Sequence, residues 1–134
     1  MEENHVVTSF LEYDNKILIL RRSRAVSTYQ GKWAGVSGYI EEGNTSFEQS
    51  LEEIKEETGL SRLDVDLIKK GEVLEVVDED LGRKWIVHPY RFRVKDPTRV
   101  IIDWEHKEAK WILPRDLLKY STVPKLKETW ERVS

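Results

Sequence analysis

The stretch GYIEEGNTSFEQSLEEIKEETGL, residues 38–60, decides how this chain is read. Glu42-Gly43-Asn44 punctuates it, and Thr45 to Glu57 then reads as a helix. Asn44 or Thr45 offers the N-cap, Thr45-Ser46-Phe47-Glu48 matches a capping box, and Gly59 is the residue type that ends helices in the left-handed conformation. Phe47, Leu51 and Ile54 fall at i, i+4 and i+7, one stripe for a core. Each helical residue advances about 100°, so with Glu53 at zero Glu57 lies at about +40° and Glu56 at about −60°. The three carboxylates share one face, and the apolar stripe lies toward the other side. Glu52 flanks the acidic face beside Glu56.

By itself that face is unfavourable. Like charges meet at Glu48/Glu52, Glu52/Glu56, Glu53/Glu57 and Glu53/Glu56, a penalty of roughly 1–2 kcal/mol in all. Acids near a helix C-terminus also oppose its dipole. Mg²⁺ or Mn²⁺ would reverse the sign of that cost, because hard cations take several carboxylate oxygens. The plain alternative is a solvated acidic surface, and helix geometry alone does not choose between the two.

The wider charge distribution favours an ion. From Asn15 to Trp33 the chain carries Lys16, Arg21, Arg22, Arg24 and Lys32 and no acid; from Glu41 to Glu57 it carries seven Glu against Lys55. The formal net charge of −3 therefore averages two strong local fields. Such a pair suits an anionic ligand held partly by Lys/Arg and partly through a divalent cation.

Outward from the helix the chain reads as strands. His5 to Glu12 and Lys16 to Arg22 form a hairpin about Tyr13-Asp14-Asn15, and Trp33 to Ile40 is a third strand. Val65 to Val77 is a long irregular strand region, and Lys84 to Val94 returns from the turn after it. Arg99 to Ile102 and Lys110 to Leu113 are short strands, Pro114 to Tyr120 a short helix, and Val123 to Val133 a terminal helix. The expectation is one α+β domain over residues 1–134, a mixed β-sheet flanked by helices.

Composition excludes several classes. With 134 residues the chain can bury a real core. No apolar run approaches the roughly 20 residues of a membrane helix, and MEENHVV lacks the character of a signal peptide. The absence of Cys removes disulfides, thiol nucleophiles and Cys-based metal sites, and fits a reducing, cytoplasmic setting. A mildly acidic chain does not coat nucleic acid by bulk electrostatics.

Residues 38–60 resemble the Nudix box, G-x5-E-x7-R-E-U-x-E-E-x-G-U with U aliphatic. Gly38, Glu53, Ile54, Glu56, Glu57, Gly59 and Leu60 match in register. Paired arginines, the GKWAGVSG approach and the later EHKEAKWI segment also look like this family of MutT-like hydrolases. Two positions depart: Asn44 stands where the family has Glu, and Glu52 where it has Arg. The family pair braces the loop against the helix, and an Asn44 amide donating to Glu52 would keep a brace of altered polarity.

The resemblance implies the Nudix fold, an α/β/α sandwich, and Mg²⁺- or Mn²⁺-dependent hydrolysis of a phosphoanhydride bond in a nucleoside diphosphate linked to another group. Glu56 and Glu57 are the expected main metal ligands, with the Gly38 carbonyl, and Glu53 is a further ligand or the general base. Of Asp103, Glu105 and Glu108 in a downstream loop, Glu105 is the first choice for an added catalytic acid, while His106 reads as a loop or surface residue. Arg22 and Arg24, projecting alike on a strand, are candidates for phosphate contact, with Arg21 opposite. Trp33, Trp85 and Tyr90 are candidates to stack a base, against the ordinary reading of such aromatics as core. The domain is minimal, which leans the substrate toward a nucleoside triphosphate or small nucleotide; a homodimer is compatible. The competing readings are a nucleotide- or protein-binding Nudix module with weak or no catalysis, and isopentenyl diphosphate isomerase, which shares the fold but relies on a Cys that this chain lacks.

Overall fold

The computed structural model describes residues 1–134. Its centre is the pairing of β1 (Glu2–Tyr13) with β7 (Arg83–Val94), parallel from Glu2↔Arg83 to Glu12↔Arg93. β2 (Lys16–Arg22) returns antiparallel to β1 through Asp14 and Asn15, both at positive φ. The third expected strand divides in two. β3 (Trp33–Ala34) pairs with β2, and β4 (Val36–Tyr39) pairs with β1 from Val6↔Tyr39 to Ser9↔Val36. At Gly35, between them, a Cβ would sit 2.9 Å from the Ser9 carbonyl oxygen, so the chain turns where only glycine fits. The long strand region likewise splits into β5 (Val65–Lys70) and β6 (Leu74–Asp78), both antiparallel to β7. β8 (His106–Ile112) closes on β2 and begins four residues before its expected start. The sheet is mixed, with eight strands.

Helix α1 (Ser46–Thr58) carries the capping box expected of it. Thr45 Oγ accepts from the Glu48 amide at 3.1 Å, Glu48 Oε1 accepts from the Thr45 amide at 2.9 Å, and Gly59 closes the helix at φ +75°. Ile54, Phe47 and Leu51 pack with Val7, Leu11, Tyr90, Phe92 and Val94 on one face of the sheet. The terminal helix α2 (Leu126–Glu131) is shorter than the periodicity of Val123 to Val133 indicates, because Pro124 and Lys125 at φ +63° hold the chain out of helix before it. Leu126 and Val133 join Phe10, Ile17, Ile19 and Trp33 in a second core on the opposite face. The layers are therefore helix, sheet, helix.

One further expectation differs. Arg99 to Ile102 is not a strand: Pro97–Arg99 forms a 3-10 turn capped by Asp96, whose carboxylate accepts from the Thr98 amide at 3.0 Å. Pro114–Lys119 forms the expected short helix, of 3-10 type.

Candidate active site

The acidic face of α1 lies across the end of β4. The capping box and the Gly59 terminus fix the helix limits, and the Ile54 stripe fixes its rotation, so Glu53 and Glu57 turn inward. Glu53 is 8% exposed and Glu57 1%, while Glu56 is exposed at the mouth. A Cβ on Gly38 would fall 2.1 Å from the Glu53 carboxyl carbon. The Glu53 carboxyl therefore lies directly against the β4 backbone, and any side chain at position 38 would displace it.

Burial dominates the electrostatics. It pushes Glu53 up from 4.5 to about 7, with the Glu56 charge adding and hydrogen bonds from Glu57 and Gln49 opposing. Burial also drives Glu57 well above the ordinary value, helped by its hydrogen bond with Glu53 and by the charges of Glu53, Glu105 and Asp103. Glu105 is raised by burial and by Asp103. Crowded, poorly hydrated carboxylates thus hold protons that they would lose to water elsewhere.

A cavity of about 380 Å³ opens in front of this face. Its lining includes a charged group, Glu41, Glu53, Glu56, Glu105 and Arg22, with Gly38. It also includes Val6, Tyr29, Val76, Trp85 and Val87, which pack together as one apolar and aromatic cluster. The segment after β2 folds over as a wall. Arg22 Nε donates to the Thr28 carbonyl at 3.0 Å, and the Tyr29 hydroxyl donates to Asp78 Oδ2 at 2.6 Å. Tyr29 and Trp85 stand with ring centroids 5.7 Å apart.

A family model described as NUDIX domain matches residues 3–133. The chain belongs to the Nudix family. It is a Nudix hydrolase. The CTP pyrophosphohydrolase of Escherichia coli (strain K12) is 26% identical over 124 residues, 92% of this chain and 86% of that one. The ADP-ribose pyrophosphatase of Methanocaldococcus jannaschii is 43% identical over 54 residues, 40% of this chain and 31% of that one. The MutT protein from Methanosarcina mazei Go1 has the same fold, with a TM-score of 0.82 at 22% identity over 98% of this chain and 93% of that one.

Nudix hydrolases generally use divalent metals. The donors here are hard oxygens, which suit Mg²⁺ or Mn²⁺. Glu57 Oε2 is buried without a hydrogen-bond partner, and the neighbouring carboxyls repel. Both features are relieved by a cation, so the residues fit one. No three His, Asp or Glu side chains form a closed coordination set as they stand, since Glu53 is held instead by Gln49 and Glu57.

The structure brings some expected site residues of this Nudix chain together and separates others. Gly38, Glu53, Glu56, Glu105 and Arg22 all reach the cavity, and Glu57 lies behind Glu53. Glu108 does not; it faces Arg21 at 3.6 Å on the β2–β8 ladder. Arg24 is a correction: β2 ends at Arg22, and Arg24 is an exposed turn residue away from the cavity wall. Trp33 is a second correction: it is a core residue, edge-on to Tyr120. Tyr90 is a third, fully buried on the α1 side with Phe47 and Phe92 and bonded to the Ser46 hydroxyl at 2.6 Å. Only Trp85 of the three aromatics borders the cavity. His106 is not at the surface. Its imidazole is buried, with Nδ1 3.0 Å from Asp103 and Nε2 3.5 Å from Glu57, and burial favours its neutral form over the pull of Asp103.

The Nudix-box brace also differs from expectation. Asn44 donates not to Glu52, which is exposed, but to Gln49 Oε1 at 2.9 Å. Gln49 and Tyr29 are the site residues that sequence reasoning passed over. Gln49 stands four residues before Glu53 on a helix, a spacing that places the two side chains together; nothing marked Tyr29.

Proposed function

We propose that this Nudix hydrolase cleaves a phosphoanhydride bond of a nucleoside triphosphate or similarly small nucleotide, with Mg²⁺ or Mn²⁺. The observation that carries the reading is the mixed lining of one cavity: three buried or clustered carboxyl groups with an arginine, Glu53, Glu56, Glu105 and Arg22, together with a packed aromatic and aliphatic cluster around Trp85 and Tyr29. Its volume suits one nucleotide. Glu56, Glu57 and the Gly38 carbonyl would hold the cation, with Glu53 as a further ligand. When bound, the cation neutralises phosphate oxygens and lowers the pKa of water. Arg22 meets the phosphates, and Trp85 with Tyr29 offers the faces against which a base stacks. Glu53, if not a ligand, is the group to take the proton from the attacking water; a carboxyl poised at about 7 exchanges protons at neutral pH. Glu105, on the same wall, orients that water or aids proton transfer.

The names of two relatives, a CTP pyrophosphohydrolase and an ADP-ribose pyrophosphatase, are in keeping with pyrophosphate-bond cleavage. The test is hydrolysis of a panel of nucleoside triphosphates, ADP-ribose, dinucleoside polyphosphates and nucleotide sugars with Mg²⁺ and with Mn²⁺. Glu56→Gln should lower turnover of the best substrate about 100-fold. Unchanged cleavage by that variant overturns the site assignment. No turnover on any member of the panel supports instead a Nudix module that binds nucleotide without hydrolysing it.

A further inference from the structure

Gln49 is an amide on a charged helix, yet it is fully buried. Burying an amide is unfavourable unless its hydrogen-bonding groups are met. Here three partners meet it. The Glu41 backbone N–H donates to Gln49 Oε1 at 3.0 Å, and Asn44 Nδ2 donates to the same oxygen at 2.9 Å. Gln49 Nε2 then donates to Glu53 Oε1 at 3.0 Å. The two donors on Oε1 settle which way the amide faces. A flipped amide would set its NH₂ against two other donors, so the nitrogen must point at Glu53.

We infer that Gln49 is a positioning residue that ties the loop at Glu41–Asn44 to the Glu53 carboxyl and sets the orientation in which Glu53 serves the reaction. It acts through Glu53, not on substrate: it is absent from the cavity wall, while Glu53 is on it. The assignment accounts for both departures in the box. With Asn44 and Glu52 in place of an opposite-charge pair, the loop is joined to the helix by a neutral amide, and Glu52 is left exposed. A charged group at position 49 could not do this, since a carboxylate would face Glu53 and a cation would neutralise it. The inference rests on the role given to Glu53 above.

The experiment compares Gln49→Met, Asn44→Ala, Glu52→Gln and Glu53→Gln with the wild type. It measures kcat, KM, Mn²⁺ affinity by electron paramagnetic resonance, and the thermal midpoint. Met keeps the length and burial of the side chain and removes both hydrogen-bonding ends. Gln49→Met should lower kcat about 10- to 100-fold and weaken Mn²⁺ binding by a few-fold, with KM within about twofold. Asn44→Ala removes one donor to the amide and should show the same split at smaller size, which covers the case in which Gln49→Met folds poorly. Glu52→Gln should leave kcat within about twofold. The inference is overturned if Glu53→Gln abolishes turnover while Gln49→Met and Asn44→Ala leave kcat and Mn²⁺ affinity at wild-type values. A loss from Glu52→Gln as large as that from Gln49→Met also overturns it, because the brace would then run through Glu52. If Glu53→Gln itself retains full turnover, the role of Glu53 fails first, and the assignment of Gln49 with it.

Discussion

Glu53 and Glu57 are four residues apart on a helix, where an isolated chain would keep both ionised and hydrated. Packing removes the water. Glu53 rises to about 7 and Glu57 well above its ordinary range, chiefly through burial. The consequence for stability has a definite sign. The native state holds these protons more tightly than the unfolded chain, so between about 4.5 and about 7 the native state binds more protons. Stability of the metal-free protein therefore falls as pH rises through that window, by about 3 kcal/mol from Glu53 alone. Thermal midpoints in EDTA should be lower at pH 8 than at pH 5. Glu53→Gln should flatten the slope, and millimolar Mg²⁺ should raise the midpoint more at pH 8 than at pH 5. An unchanged midpoint across that range would contradict the burial argument. His106 belongs to the same cluster: buried between Asp103 and Glu57, it abuts a carboxylate with its uncharged form favoured, an arrangement that no residue-by-residue reading of a polar loop would indicate.

At the scale of the element, α1 carries the site and is held by its ends. The reciprocal bonds of Thr45 and Glu48 satisfy two backbone N–H donors at the start, and the Thr58 hydroxyl donates back to the Ile54 carbonyl at 2.6 Å near the end. Thr45→Ala should cost about 1 kcal/mol of stability, read as a shift in the denaturation midpoint, and leave KM unchanged, because Thr45 is exposed and off the cavity. A large change in KM would mean that the cap also sets the loop at Glu41–Asn44. This helix was legible in the sequence nearly to the residue. Its cap, its stripe and its carboxylate arc depend only on neighbours within one or two turns. The shorter elements were less legible: Arg99 to Ile102 has strand residues but no free ladder, and Ile101 is instead tied by its amide to the Thr58 carbonyl at 2.9 Å, at the end of α1.

At the scale of the molecule, the sheet sorts the aromatics. Trp85 and Tyr90 are an odd number of residues apart on β7, so they project from opposite faces; Trp85 borders the cavity and Tyr90 packs under α1. Trp33 lies in the core beside α2. Trp85→Ala should raise KM for the best nucleotide about tenfold or more, the scale of a lost stacking contact. Trp33→Ala should cost roughly 3–5 kcal/mol of stability with KM retained in the folded fraction. The reverse result, a KM effect from Trp33→Ala and none from Trp85→Ala, would place the base elsewhere.

The sequence alone determined the helix, its caps, the arc of Glu53, Glu56 and Glu57, the glycine at position 38 and the family, because each depends on local periodicity or on fixed spacing. The tertiary structure decided which face of each strand meets the cavity, that Glu105 rather than Glu108 reaches it, that His106 is buried, and that Gln49 instead of Glu52 receives Asn44. Those outcomes turn on strand register and on which polar groups lose their water when distant segments meet. Neither is written in the spacing of residues along one segment.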